Sequence, residues 1–374
     1  MKKNLIKLVL VFFFILKSSL VLGFSNAKQA VLIDADTGYV LYEKNADELT
    51  APSSMSKMMT IYLIFEKLQN GTLSLTDQLE VSKAAWAKRG SRMFLEENSQ
   101  VSVEDLLRGI IVQSGNDACV VIAEAFSGTE ENFSEELNIK AREIGLENSN
   151  FTNSTGWPDE GHLSTARDLS IIAIKTVQNF PEYYHFYAEE SFEYNGINQR
   201  NRNTLLNKPV GVDGLKTGHT EAGGYGLAAS ALRKNQRLIM VINGLTSNKE
   251  RTAEAIKLLE WGYRNFTNFD LLKEGMAVLQ AKVWLGDKKT LPLVINEDTK
   301  ITIPSKSRDK LQFKIEYDSP ISAPIEEGTK IAELEITAPG IDSLRIPLYA
   351  GSTITSLGPL SKLLSVINYL VWGE

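Results

Sequence analysis

Three short motifs along the chain carry residue types that together can catalyse acyl transfer from a serine. In chain order they are Ser54-Met55-Ser56-Lys57, Ser114-Gly115-Asn116 and Lys216-Thr217-Gly218. A serine three residues before a lysine also recurs by chance, as in Ser25-Asn26-Ala27-Lys28 and Ser307-Arg308-Asp309-Lys310. Because the three motifs occur together and in this order, they jointly predict a serine acyl-transfer site built around a lysine base.

The first motif pairs a nucleophile with a base. Residues three apart lie on one face of a helix, so Lys57 would hold its amine against the Ser54 hydroxyl. A lysine accepts a proton only when its pKa falls, which burial and a second cation achieve, and Lys216 is the candidate for that cation. A serine at a helix start also places its own N–H where an oxyanion could bind.

The other two motifs offer groups that could complete such a site. Ser114 has a hydroxyl that can pass a proton to a leaving amine, and the Asn116 amide can hold Lys57 or a substrate carbonyl. The alternative is a turn and N-cap before an apolar helix. Lys216 and Thr217 could grip a terminal carboxylate, while Gly218 would let a substrate backbone approach; the alternative is a charged strand end before a turn.

The elements around the motifs indicate two kinds of structure. Apolar runs at 30–34 and 39–43 predict a hairpin, and residues 55–68 predict a helix that carries the first motif. From about residue 272 apolar residues alternate with period two between prolines and glycines, which favours a separate all-β module. Further helices are predicted at 103–112, 116–126, 131–144, 165–177 and 249–263, and further strands at 226–232, 238–243, 300–303, 311–317, 330–337 and 344–349.

Residues 1–23 have the pattern of a secretory signal peptide, with three lysines before an apolar run and small residues after it. Cleavage could follow Gly23 or Ala27; the alternative, an uncleaved anchor, is disfavoured because the apolar run is short for a span. Removing residues 1–23 also removes four lysines, so the formal net charge changes from -6 to -10. We therefore expect an exported protein with no nucleic-acid partner.

Cysteine and histidine usage limits the cofactor chemistry. Cys119 is the only cysteine, so no intrachain disulfide can form, and its apolar neighbours favour packing over reactivity. His162, His185 and His219 lie far apart, without the spacing of a zinc site. We expect no metal and no cofactor.

The tail, residues 358–374, has apolar residues at helical spacing with a polar opposite face. A helix of this length would extend only about 25 Å, so lying in the membrane interface is favoured over spanning. The alternative is a terminal helix docked on the protein's own surface, since Lys362 is the only cation that could attract anionic lipid.

The sequence resembles the penicillin-recognising D-alanyl-D-alanine carboxypeptidases, the low-molecular-mass penicillin-binding proteins, over nearly the whole chain. The runs that carry the resemblance extend the three motifs and add a fourth: PSSMSKMMT at 52–60, QSGNDA at 113–118, HLSTARD at 162–168 and DGLKTGHT at 213–220. The resemblance implies an α+β, β-lactamase/transpeptidase-like domain, an antiparallel sheet flanked by helices, followed by a small all-β sandwich. We expect the peptidase domain at 24–270, the β domain at 272–356 and the membrane-associating helix at 358–374.

The resemblance also implies a role for each site residue. It implies that Ser54 is the acylated nucleophile and Lys57 its base, with Ser114 and Asn116 as a second catalytic element. It implies that Lys216, Thr217 and Gly218 hold the substrate carboxylate. The backbone N–H groups of Ser54 and His219 are implied to form the oxyanion hole. Arg251 is implied to help hold the terminal carboxylate, with Arg202 as a weaker candidate.

The implied activity is removal of the terminal D-alanine from peptidoglycan stem peptides, with β-lactams as inhibitors, at the outer face of the cytoplasmic membrane. One rival is a β-lactamase of the same fold, which would need a carboxylate that activates water for deacylation; the β module and tail argue against it. Another is a catalytically silent cell-wall scaffold, which would have no use for Ser54, Lys57 and Lys216 together.

Two departures from the family pattern stand out. The family often has Ala before the nucleophile and Thr before the lysine, where this chain has Ser53 and Ser56. After Gly244, the segment Leu245-Thr246-Ser247-Asn248 replaces a glycine- and arginine-rich loop, which weakens the assignment of Arg251.

Overall fold

The computed structural model describes residues 24–372, so the predicted signal peptide lies outside the described residues. Residues 24–265 combine nine strands with seven α-helices. The strands are β1 (Gln29–Asp34), β2 (Val40–Lys44), β3 (Gln78–Glu80), β4 (Gln100–Ser102), β5 (Ser191–Tyr194), β6 (Ile197–Arg200), β7 (Val212–Thr220), β8 (Gly224–Arg233) and β9 (Gln236–Leu245). The helices are α1 (Lys57–Gln69), α2 (Lys83–Ala87), α3 (Val103–Arg108), α4 (Asn116–Ser127), α5 (Glu130–Glu143), α6 (Ala166–Asn179) and α7 (Asn248–Asn265).

A five-stranded antiparallel sheet in the order β2-β1-β9-β8-β7 organises this part. Side chains alternate across a strand, and in β1 Val31 and Ile33 belong to one core while Ala30 and Leu32 belong to another. Because both faces are covered, all six residues of β1 are buried. The edge strand β7 carries the third motif, so one side of that motif is left open to a ligand.

Helices cover the two faces of the sheet. The first core is built largely from α1, α3, α4 and α6, and α1 contributes a nearly continuous run of buried residues because it is enclosed by other helices as well as by the sheet. On the other face α7 packs Ala255, Leu258 and Leu259 against β1, β8 and β9. Gly262 allows this close approach, since a Cβ there would lie 2.7 Å from Leu32 and 2.9 Å from Leu238.

Five of these helices begin with a side-chain cap, in which a hydroxyl accepts a backbone N–H of the first turn. The capping residues are Ser82, Ser102, Thr129, Thr165 and Ser247. Helix α4 differs. Its N-cap is Gly115, which makes no side-chain cap, and it follows Ser114 in a left-handed conformation with φ 66°. The second motif therefore does not act as the capping sequence that was its alternative interpretation.

Residues 266–356 form the β part of the chain. Its strands are β10 (Phe266–Leu272), β11 (Ala277–Trp284), β12 (Thr290–Val294), β13 (Thr299–Pro304), β14 (Gln312–Glu316), β15 (Ile321–Ser322), β16 (Lys330–Thr337) and β17 (Leu344–Ala350). A six-stranded sheet runs β14-β16-β17-β12-β11-β15, and β10 pairs with β13 in a second, two-stranded sheet. Since β10 follows α7 directly, the β part begins at Phe266, earlier than the expected residue 272.

Polar contacts join the two parts. Lys300 pairs with Asp36 at 2.7 Å, and the Tyr39 hydroxyl donates to the Gly340 carbonyl at 3.1 Å. The chain then ends its described range with α8 (Pro359–Trp372). Within residues 24–372 we find no helix with the length and apolar character needed to cross a bilayer.

Candidate active site

The predicted nucleophile lies on a tight turn between the sheet and α1. Residues Ser53–Ser56 form a short 3-10 helix that leads into α1, so Ser54 and Lys57 are still three residues apart on a helical path. The Lys57 ammonium Nζ lies 3.0 Å from Ser54 Oγ. This is the geometry that a lysine base needs to take a proton from the serine.

Lys57 is fully buried, and its other two hydrogen bonds go to neutral acceptors. Nζ donates to Asn116 Oδ1 at 2.7 Å and to the Thr155 carbonyl at 2.5 Å. Burial lowers the pKa of Lys57 to about 8, because the charged form is poorly solvated, and the guanidinium charge of Arg202 acts in the same direction. Part of the Lys57 population is therefore neutral near neutral pH, as a general base requires.

Lys216 is the second buried lysine of the site, 1% exposed on β7. Burial holds its pKa well below the usual range, and the Lys57 ammonium adds to the effect. Its Nζ makes one hydrogen bond among the described residues, to the Thr217 carbonyl at 3.3 Å. An anionic ligand would therefore find an amine nitrogen with unused donors.

The second motif meets the first through Asn116. The amide of Asn116 accepts from Lys57 and donates to the Arg89 carbonyl at 2.8 Å, so its orientation is fixed from both ends. The next residue, Asp117, accepts the backbone N–H groups of Met93 and Leu95, which holds the loop between α2 and β4 against α4. The hydroxyl of Ser114 is buried and has no hydrogen-bond partner among the described residues. It lines the cavity described next, where a substrate group could take that place.

One cavity of about 1110 Å³ collects the candidate residues. Its lining includes members of all three motifs, the neighbouring His219 and both candidate arginines. These lining residues are Ser54, Ser114, Asn116, Thr217, Gly218, His219, Arg202 and Arg251. Lys57 and Lys216 lie behind this lining, beneath the surface. The size fits a peptide end or a drug-sized ligand.

The two arginines differ in how free they are. Arg251 is 6% exposed, and its Nη2 donates to Asn248 Oδ1 at 2.7 Å. Burial lowers the pKa of Arg251 to about 10. Arg202 is exposed at the cavity wall and forms no salt bridge among the described residues. Its guanidinium is thus the more available to a carboxylate.

Sequence reasoning missed two contributors to the site. The carbonyl of Thr155 accepts from Lys57, although the two residues are 98 positions apart. His162 was considered only as a metal ligand, yet its Nε2 lies 2.7 Å from Ser56 Oγ, directly beneath the nucleophile turn. The resemblance run at 162–168 was the one signal that could have directed attention to His162.

The fold and site define a serine acyl-transfer enzyme, and comparison with known proteins identifies the class. A family model described as D-alanyl-D-alanine carboxypeptidase matches residues 23–246, and one described as the C-terminal domain of penicillin-binding protein 5 matches residues 266–356. The chain belongs to the D-alanyl-D-alanine carboxypeptidase family.

Individual relatives support the same placement. D-alanyl-D-alanine carboxypeptidase DacA of Haemophilus influenzae is 39% identical over 344 residues, which is 90% of this chain and 88% of that protein. The crystal structure of penicillin-binding protein 5 from the same organism has a TM-score of 0.81 at 39% identity, covering 88% of this chain and 98% of that one. Penicillin-binding protein D2 of Listeria monocytogenes, solved in the ampicillin-bound form, has a TM-score of 0.59 at 27% identity, covering 64% and 98%.

These findings confirm three predictions from the sequence. The family is the expected one, and the fold class is α+β followed by an all-β domain. The activity is that of a serine-type D-alanyl-D-alanine carboxypeptidase that binds penicillin.

Proposed function

We propose that the enzyme removes the terminal D-alanine from peptidoglycan stem peptides through an acyl-enzyme at Ser54. The observation that carries this proposal is the hydrogen bond of 3.0 Å between Ser54 Oγ and a fully buried lysine whose pKa is lowered to about 8. Neutral Lys57 takes the Ser54 proton as Oγ attacks the carbonyl of the penultimate D-alanine. The C–N bond then breaks, and water later hydrolyses the ester to regenerate Ser54.

Ser114 supplies the proton that the leaving amine needs. Its hydroxyl is buried, lines the cavity and lacks a partner among the described residues, so it is available to a bound substrate. It passes a proton to the departing D-alanine nitrogen and is reprotonated from the lysine pair. Asn116 holds Lys57 in place during both transfers.

The free carboxylate of the substrate binds at the edge strand β7. Lys216 provides a buried ammonium group when protonated and Thr217 a hydroxyl, and Gly218 lines the cavity beside them. Arg251 is already bonded to Asn248, so we assign the direct outer contact to Arg202 and a supporting role to Arg251. The tetrahedral oxyanion binds the backbone N–H groups of Ser54 and His219.

Labelled penicillin tests the nucleophile. A stable adduct is expected on the peptide that contains Ser54, and D-alanine release from a peptide ending in D-Ala-D-Ala should disappear in Ser54→Ala. Ser134→Ala is a matched control, because Ser134 donates to the Glu130 carbonyl within α5, away from the cavity. An adduct on Ser53 or Ser56 would falsify the assignment. Rapid turnover of penicillin would favour the β-lactamase rival, and binding without any adduct would favour the scaffold rival.

The C-terminal helix is the part of the chain that would hold this enzyme at a membrane surface. Seven apolar side chains of α8 are between 36% and 77% exposed: Leu360, Leu363, Leu364, Val366, Ile367, Leu370 and Val371. This exposure supports an interfacial helix over one docked on the protein's own surface. We infer that α8 lies in the interface of the cytoplasmic membrane on its outer face, after export.

Vesicle sedimentation tests this tether. Deleting residues 358–374 should leave an active enzyme that no longer sediments with lipid vesicles, while the full mature chain does. Leu363→Asp should weaken sedimentation and Ser361→Ala, on the polar face, should not. A full-length protein that stays in the supernatant beside vesicles, or a deletion that unfolds the enzyme, would contradict the tether without affecting the proposed chemistry.

A further inference from the structure

Ser53, the residue before the proposed nucleophile, has an unusual backbone conformation. Its φ is +53°, in the left-handed region that non-glycine residues seldom occupy, and the residue is 2% exposed. Such a conformation persists only where surrounding contacts hold it.

Hydrogen bonds hold Ser53 from two separate parts of the fold. Its carbonyl accepts from Ser56 Oγ at 2.9 Å, and Ser56 Oγ in turn lies 2.7 Å from His162 Nε2. The Thr152 N–H donates to His162 Nδ1 at 3.1 Å, so Nε2 carries the ring proton and donates to Ser56. Burial lowers the pKa of His162 to about 4, which keeps the ring neutral. These successive hydrogen bonds hold the Ser53 backbone in place through Ser56 and His162.

The hydroxyl of Ser53 points the other way, to the sheet. Ser53 Oγ lies 2.9 Å from Thr220 Oγ1 at the end of β7, and Thr220 Oγ1 also accepts the Gly223 N–H at 3.0 Å. The hydroxyl therefore links the nucleophile turn to the β7–β8 turn.

Three glycines fit closely around Ser53. A Cβ would lie 2.0 Å from the Ser53 carbonyl oxygen at Gly156, 3.1 Å from Ser53 Cβ at Gly218 and 3.1 Å from Ser53 Oγ at Gly223. The last two belong to β7 and to the turn after it. The nucleophile turn therefore contacts the hairpin of β7 and β8 directly. The hydroxyls of Ser53 and Thr220 lie in this contact.

We propose that Ser53 is a positioning residue, whose hydroxyl bond to Thr220 sets the distance between the two N–H groups of the oxyanion hole. Ser53 is adjacent in sequence to Ser54, and Thr220 is adjacent to His219, so the bond joins the two halves of the hole one residue away from each donor. Oxyanion donors act only when held within a few tenths of an ångström of their target. The inference rests on the proposed function.

A double-mutant cycle tests the proposal. Ser53→Ala and Thr220→Val each remove one partner, and each should lower kcat and the rate of acylation by benzylpenicillin roughly tenfold, with KM changed less than twofold. Because the same bond is lost in both, the double variant should be no slower than the slower single variant. Thr220→Ser, which keeps the hydroxyl, should restore the rate, and Ser134→Ala should not change it.

Ser53→Gly serves as a second variant in case alanine disturbs the left-handed turn, because glycine adopts this φ without strain. It should fold and show the same loss. Unchanged kcat in Ser53→Gly, or effects of Ser53 and Thr220 variants that multiply, would overturn the proposal. An adduct that still maps to Ser54 in these variants separates that failure from failure of the proposed nucleophile.

Discussion

Two lysines of the peptidase domain and two of the β domain occupy opposite environments. Lys57 and Lys216 are at most 1% exposed, and their pKa values are lowered. In the β domain Lys273 and Lys314 are more than 60% exposed, each is paired with a carboxylate, and those partners raise their pKa values. Burial of an ammonium without a counter-charge is costly, so a catalytic role explains why Lys57 and Lys216 are buried. Lys273 and Lys314 stay in solvent, where an ammonium is stable.

Replacing a lysine from each region should give the largest contrast. Lys57→Met removes the base, so acylation by penicillin should fall by roughly 10² to 10⁴-fold. Lys314→Met removes an exposed ion pair, and acylation should be unchanged. Stopped-flow measurement of the acylation rate checks both. Equal acylation rates in the two variants would contradict a catalytic role for Lys57.

Lys216 should show a smaller effect of two kinds. Lys216→Gln loses a charged contact to the substrate carboxylate, so KM should rise roughly 10- to 100-fold. It also removes a neighbouring positive charge, so the pKa of Lys57 should rise and the pH profile of acylation should move to higher pH. Lys216→Arg keeps the charge and should keep the profile. A profile that stays in place in Lys216→Gln would show that the two lysines are not coupled.

Stability should reveal what burial of Lys57 costs. Its pKa is about 8 in the folded protein against an ordinary value of 10.5, so between these values the unfolded chain binds more protons and stability rises with pH. Lys57→Met should lose this rise and be more stable at pH 7 by up to about 3 kcal/mol. Denaturant unfolding at pH 7 and pH 10 measures it, with Lys314→Met as the neutral control. Destabilisation of Lys57→Met at pH 7 would mean that its three hydrogen bonds outweigh desolvation.

Replacing His162 should change the free energy of unfolding least at neutral pH and more in acid. Its pKa is lowered from 6.5 to about 4 by burial, so the unfolded chain binds the proton first and stability falls as pH drops from 6.5 to 4. His162→Gln cannot take up this proton and should show a flatter decline. Unfolding curves at pH 7, 5.5 and 4 compare the two proteins. Parallel declines would indicate that other groups control acid stability.

Local features of the site were predictable from the sequence. The pairing of Ser54 with Lys57 follows from helical periodicity, because residues three apart lie on one face of a helix. What could not be predicted are contacts that depend on the tertiary fold. Thr220 meets Ser53 across 167 positions, and His162 meets Ser56 across 106.

The fold shows the same division. The hairpin of β1 and β2, the strands β8 and β9 and the long helices carry strong periodicity and were predicted. The strand β10 was missed because its residues are half-buried with no clear alternation, and it forms only through pairing with β13, more than 25 residues later. The partner of Arg251 is Asn248, in the segment that departs from the family pattern, and only the structure brings this out.

The pH dependence of acylation tests the central claim most directly. Rates of acylation by benzylpenicillin, measured from pH 5 to pH 11 on the full mature chain, should rise with an apparent pKa near 8, the value that burial gives Lys57. Lys57→Arg should abolish this rise, since arginine keeps the charge but does not release its proton. A midpoint near the ordinary lysine value of 10.5, or near-normal acylation in Lys57→Arg, would contradict the account.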